Sequence, residues 1–364
     1  MTTESIPVET HPPRPLWRRL IGPVLSVVLV VAVFAWFLPQ FTSLSAVWAS
    51  VQSMTTAQIA ILLAATVWNL ATYLFVITAT MPGMNLRQAF VSNGATTAVS
   101  NTVVGGAAIA LGLNYAMNSS WGFSRSRTSV SLLVSGIWNN FVKLGMPVLA
   151  LSLLALTSPP SAARLVSGLL GVAGLVAAVV LLGLLLRSHE AAARIGIVSG
   201  RIASAILRPF HRPPVEGWDR AMTKFRDRTA LLLHARWLWI TVTTLVSHLS
   251  LFLVLLLALR FVGVDAEQAG WIEILSVFSF ARLLTAVPFT PGGLGVIEFA
   301  LITGLAATGG ERAEVAAGVL IFRALTYVLP IPLGLATYIY WRRNTSWRRA
   351  PNTAPRTDLV PETV

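Results

Sequence analysis

Val287-Pro288-Phe289-Thr290-Pro291-Gly292-Gly293-Leu294-Gly295-Val296-Ile297-Glu298-Phe299-Ala300-Leu301-Ile302 is a hydrophobic segment that cannot be a single helix. Pro288 and Pro291 carry no amide hydrogen and clash with the turn before them, while the glycines reach backbone conformations closed to other residues. A helix restarts near Leu294, and its first amides have no partner within the helix. In a soluble protein water would satisfy them. In a membrane each unsatisfied group costs several kcal/mol unless it is buried against protein or lines a polar cavity. A helix N-terminus in such a place attracts an anion; a kink satisfied by Thr290 and neighbouring helices is the purely structural reading.

The rest of the chain makes the membrane the relevant solvent. Its 364 residues are 55% hydrophobic and 11% charged, with mean hydropathy +0.72, against roughly 25% charged in soluble domains. Apolar runs at Leu20–Leu38, Ala57–Ala79, Thr128–Leu156, Leu165–Leu186, Trp237–Leu259 and Ala313–Tyr340 are each long enough to span a bilayer as a helix. The first is too long for the core of a cleaved signal and reads as a retained span. Gln88–Ser120 and Trp271–Thr308 are apolar but interrupted by Gly, Pro, Asn and charge. The expected fold is therefore an all-α polytopic membrane protein with six full spans and two broken, re-entrant hairpins.

Charge orients these segments through the positive-inside rule. Arg14, Arg18 and Arg19 put the N-terminus inside, and the stretch Arg187–Arg236 holds ten Lys/Arg against four acids, so it is inside as well. Arg342, Arg343, Arg348 and Arg349 place the C-terminus on the same side. Gln88–Ser120 then begins and ends inside, and Trp271–Thr308 begins and ends outside. On this path 21 of the 27 Lys/Arg lie inside, three lie outside and three lie within spans. The net charge of +13 is thus a topology signal, and no nucleic-acid partner is expected. The layout divides the chain into an inside tail (1–19), a transmembrane domain (20–341) with a basic loop (187–236), and an inside tail (342–364). The setting is a bacterial-type inner (plasma) membrane. Within the loop Arg194, Arg201 and Arg208 recur every seven residues, with Ile195, Val198, Ile202 and Ile206 between them. That spacing suits an interfacial helix on anionic lipid, or a solvated basic loop.

Each half reads span, hairpin, span, in opposite orientation. At an offset of 187 residues Gly105-Gly106 falls on Gly292-Gly293, Gly122 on Gly309 and Arg125 on Arg312. Inverted repeats with broken helices near the midplane are a transporter architecture.

Buried charge converges on the same region. Counting 1.5 Å per residue from their helix starts puts Arg282 and Arg323 roughly 15 Å deep. Lys143 shares a helix face with Asn139, four residues earlier, and Glu298 follows the break by one to two turns. Charges at such depth cost at least ~2.5–3.5 kcal/mol each. Glu298 has two possible partners, Arg282 and Arg323; a bound lipid phosphate would offset the cations left over. The candidate anion or lipid site is Asn139, Lys143, Arg282, Pro291, Gly292, Gly293, Leu294, Gly295, Glu298 and Arg323. Glu273 is nearer the boundary, His248 reads as a packing residue, and Asn69, Asn93 and Asn101 read as interhelical hydrogen-bonding groups. With no cysteine and no second His at ligand spacing, neither metal nor cofactor is expected.

The P-x-x-P-G-G-x-G-x-x-E run from Pro288 to Glu298, preceded by Arg282 and followed by Gly309, resembles the signature of the flippase-like family. This is the transmembrane region of lysylphosphatidylglycerol synthase, which also occurs as stand-alone proteins; the resemblance covers Ile21 to Trp341. It implies a membrane domain that moves or accommodates phospholipids, aminoacylated phosphatidylglycerol above all, with Arg282 and Glu298 as a functional polar pair. The chain ends 23 residues after Trp341, so no synthase activity is expected. Leu111 stands where the first repeat would need its Glu298, so the first hairpin carries no equivalent charged site. The expected function is a lipid translocase for an anionic or aminoacylated phospholipid, or for a lipid-linked precursor. The alternatives are a non-transporting accessory to a lipid- or glycan-modifying enzyme, and a membrane-embedded enzyme with Glu298 as base.

Overall fold

The computed structural model describes residues 44–102, 105–157, 162–188, 190, 193–194, 197–198, 200–201, 204, 217–285 and 293–349. The span Leu20–Leu38, the N-terminal tail, the end of the C-terminal tail, Ile195, Ile202, Ile206 and Arg208 of the heptad, and Pro291 and Gly292 lie outside them. Among the described residues all regular structure is helical.

The first helix, α1, is Leu44–Ser53. Helix α2, Thr56–Thr80, opens on a capping box between Thr55 and Gln58, which satisfies two of its free end groups. The first hairpin follows as α3, Leu86–Thr102, and α4, Gly106–Ser120. Its break falls on the predicted glycine pair for two separate reasons. Gly105 sits at φ +71°, in the left-handed region that favours glycine. A Cβ on Gly106 would run into the Val99 carbonyl. Helix α5, Arg125–Thr157, completes the first half, and α6, Ala162–Arg187, follows it.

In the second half α7 runs from Trp218 to Phe261, starting well before the apolar run that predicted it. The second hairpin is α8, Trp271–Leu284, and α9, Val296–Ala307. The predicted span Ala313–Tyr340 is α10, Arg312–Arg323, a π turn over Ala324–Val328, and α11, Pro330–Arg343. Pro330 explains the wide turn. Its ring would clash with the carbonyl four residues back, and the turn instead bonds the Leu329 amide to the Ala324 carbonyl, five residues back, at 2.8 Å.

Among the described residues four helical stretches are long and apolar enough to cross a membrane: Thr56–Thr80, Arg125–Leu156, Met222–Phe261 and Arg312–Arg343. Helix α6 carries a shorter apolar stretch, Leu169–Leu184. Leu63, Val67 and Trp68 on α2 are exposed, as are Leu245, Leu249 and Leu253 on α7, a surface suited to lipid tails.

The halves interlock. Helix α2 packs along α7, α3 along α11, and α8 along α5. Asn69 Nδ2 donates to the Ser247 carbonyl and to Ser250 Oγ at 3.2 and 2.9 Å, joining α2 to α7 as an interhelical polar group should. The main core gathers Leu255, Phe278, Leu301 and Phe322, with the Phe278 ring 5.7 Å from Phe252 and 6.5 Å from Phe322.

The α3–α11 contact depends on small residues. A Cβ on Gly334 would overlap the Gly94 carbonyl, and one on Gly94 would meet Thr337 Oγ1 at 2.7 Å. Without a hydrophobic drive between helices in lipid, backbone approach of this kind supplies much of the association. Gly334→Leu is therefore expected to destabilise the protein by about 3 kcal/mol through overpacking. Gly136→Leu, on α5 with nothing within 4 Å of its Cβ position, is the control. Thermal melting in detergent should separate the two; equal melts would show that the α3–α11 approach carries no stability.

Candidate functional site

Four charged side chains predicted to be buried converge where α5, α8, α9 and α10 meet. Arg282 lies in the last turn of α8, Glu298 in the first turn of α9 and Arg323 in the last turn of α10. Arg282 and Glu298 have the sign their helix ends favour, which offsets part of the cost of burial, whereas Arg323 lies where α10 runs on into the π turn. Lys143 joins them from the middle of α5. Pro147, one turn on, lacks the amide that would have bonded to the Lys143 carbonyl.

Glu298 resolves its two possible partners in favour of Arg323. Arg323 Nε donates to Glu298 Oε1 at 2.6 Å, with the side chains 8% and 2% exposed. The Arg323 guanidinium also stacks over the Tyr327 ring, 4.6 Å from its centroid. The Tyr327 hydroxyl donates to the Asn101 carbonyl at 2.6 Å, and Asn101 Nδ2 donates back to the Tyr327 carbonyl at 3.1 Å. Asn101 stands at the end of α3, so the ion pair is tied to the tip of the first hairpin through the π turn.

Arg282, paired with Glu298 in the expectation from resemblance, forms no ion pair among the described residues. Its Nε is buried without a hydrogen-bond partner, as is Glu298 Oε2. Lys143 also forms no ion pair among the described residues, and it interacts electrostatically with Arg282. Arg282 in turn lies within electrostatic reach of Arg323 and of Tyr73 on α2. His248 on α7 is 4% exposed; its Nδ1 is 3.0 Å from the Thr244 carbonyl, while Nε2 is buried without a partner. It is half satisfied, and it faces the fields of Arg282 and Lys143.

A cavity of about 70 Å³ opens beside Arg282 and Arg323, its described wall made of these two, Thr326 and apolar side chains such as Phe278, Leu301 and Phe322. The described part of the broken segment borders it through Ile297 and Leu301. Gly293 and Gly295 have φ +72° and +80°, Gly295 is the N-cap of α9, and Leu294 is 3% exposed. Asn139 directs its Nδ2 to the Ser135 carbonyl at 2.8 Å. Among the described residues no group of three His, Cys, Asp or Glu could hold a metal ion.

Sequence reading missed Tyr327, Tyr73 and the π turn, and undervalued His248. For the turn a signal existed, since Pro330 and Pro332 stand inside a span. For the tyrosines none did, because their partners are remote in sequence.

Fold and site together define a helical membrane protein with a charged cluster buried between a broken hairpin and its neighbouring spans. The chain belongs to the family described as the lysylphosphatidylglycerol synthase TM region, whose model matches residues 23–334. No curated protein matches it. The family places it among membrane proteins related to lipid modification or transport.

Proposed function

We propose that the protein is a flippase-like lipid translocase, without catalysis of its own, that receives an anionic phospholipid head group at the Arg282 site. Phosphatidylglycerol and its aminoacylated forms are the favoured cargo. One observation carries this reading: Lys143, Arg282 and Arg323 share one carboxylate among the described residues, and that carboxylate is bonded to Arg323. A phosphate is the complement such a cluster lacks.

Alternating access by inverted repeats suits the packing. The opening helices of the two halves, α2 and α7, face one another, and an arm of each hairpin lies on the closing helix of the other half: α3 on α11, α8 on α5. Gly83 and Gly122 flank the first hairpin at positive φ, as Gly263 and Gly309 flank the second. In this reading six spans and two re-entrant hairpins fill 20–341, with the basic loop and both tails on the inner face of a bacterial-type plasma membrane. In vesicles holding the reconstituted protein, fluorescent phosphatidylglycerol should reach the opposite leaflet faster than in empty vesicles. Equal rates would overturn the proposal.

A further inference from the structure

Arg282 is half-buried with its Nε fully enclosed, a costly place for a charge without a counter-ion, and the described wall of the cavity beside it offers none. Among the described residues its lining includes two guanidinium residues and Thr326 but no carboxylate; Glu298 is not part of that wall. The remaining lining side chains, Leu251, Phe278, Ala281, Ile297, Leu301 and Phe322, are apolar and have no acceptor to give. Arg323 has its charge answered by Glu298, whereas Arg282 Nε has no partner. An uncompensated charge held away from water is costly, and among the described residues the wall offers nothing to offset it, so a ligand from outside the protein can supply the complement.

Size narrows what can supply it. A cavity of about 70 Å³ has room for a few waters, at about 10–15 Å³ each. It falls far short of the about 300 Å³ at which pockets begin to enclose a drug-sized molecule. A compact anion fits, either a free inorganic ion or the phosphate alone of a lipid whose remaining head group stays outside.

We propose that the chamber between Arg282 and Arg323 binds one small inorganic anion, of chloride size, as the resident counter-ion of Arg282. The ion leaves when a lipid phosphate takes its place, so free anion and phospholipid exchange at one site. The exchange rests on the head-group reading above; the resident anion does not.

The test is thermal melting of the purified chain in neutral detergent, in sodium chloride and in sodium gluconate at equal ionic strength. Gluconate screens charge equally but is too bulky for the chamber. Chloride is expected to raise Tm by about 2–4 °C over gluconate. Arg282→Lys should keep a smaller rise, and Arg282→Met, which removes an unanswered charge, should melt identically in both salts. Equal melts for the unaltered protein, or an undiminished difference in Arg282→Met, would overturn the resident anion. Phosphatidylglycerol added to the micelles should raise Tm in gluconate and abolish the chloride difference. A chloride effect that phosphatidylglycerol leaves untouched would uphold the anion and count against the head-group site. A phosphatidylglycerol effect without a chloride effect would overturn the anion and uphold the head-group site.

Discussion

Glu298→Ala is expected to lower stability by about 3–5 kcal/mol, the cost of leaving a buried charge without its partner. Arg323, 6% exposed, would lose the carboxylate bonded to its Nε and keep only its remaining contacts, Tyr327 among them. The double substitution Glu298→Met with Arg323→Met should return most of the loss, because apolar groups of similar volume replace the pair without stranding a charge. Denaturation in detergent of the single and double variants separates a pair effect from simple loss of packing. A double variant no more stable than Glu298→Ala would show that the pair is not the fastener.

The second large effect falls on transport. Arg282→Ala is expected to slow protein-dependent crossing of phosphatidylglycerol by about 10- to 100-fold, which corresponds to losing one charge-assisted hydrogen bond of about 1.5–3 kcal/mol. In gluconate, where no small anion answers Arg282, stability should stay level or rise, since Arg282 Nε has no hydrogen-bond partner to lose. The two arginines thus predict opposite patterns: disrupting the Arg323 pair damages the fold, and Arg282→Ala spares the fold and removes the function. Unchanged crossing in Arg282→Ala vesicles would move the site elsewhere.

Both predictions depend on which arginine Glu298 meets. Sixteen residues separate it from Arg282 and twenty-five from Arg323, and helical rise alone places both arginines at similar depth. Sequence distance favours Arg282, as does the family resemblance. Packing reverses the preference, because α9 and α10 bring Glu298 against Arg323 while Arg282 Nε ends without a partner. The Tyr327–Asn101 link spans 226 residues and left no local trace. The near-contact of Gly94 with Gly334 is equally silent in sequence, since small residues permit a close crossing without naming the partner.

By itself the sequence determined the helical membrane class, the glycine break of the first hairpin and the presence of buried charge at Glu298 and Arg323. These follow from local quantities: the length of apolar runs, the backbone freedom of glycine and the cost of charge in lipid. The broken segment Val287–Ile302 belongs to this group in its outline, with Gly293 and Gly295 at positive φ and a new helix beginning at Val296. Only the tertiary structure decided that Glu298 answers Arg323, that the π turn carries Tyr327 to the first hairpin, and that Arg282 borders a cavity whose described wall holds no carboxylate. Those outcomes depend on side-chain distances of a few ångströms between helices far apart in the chain, which no local pattern encodes.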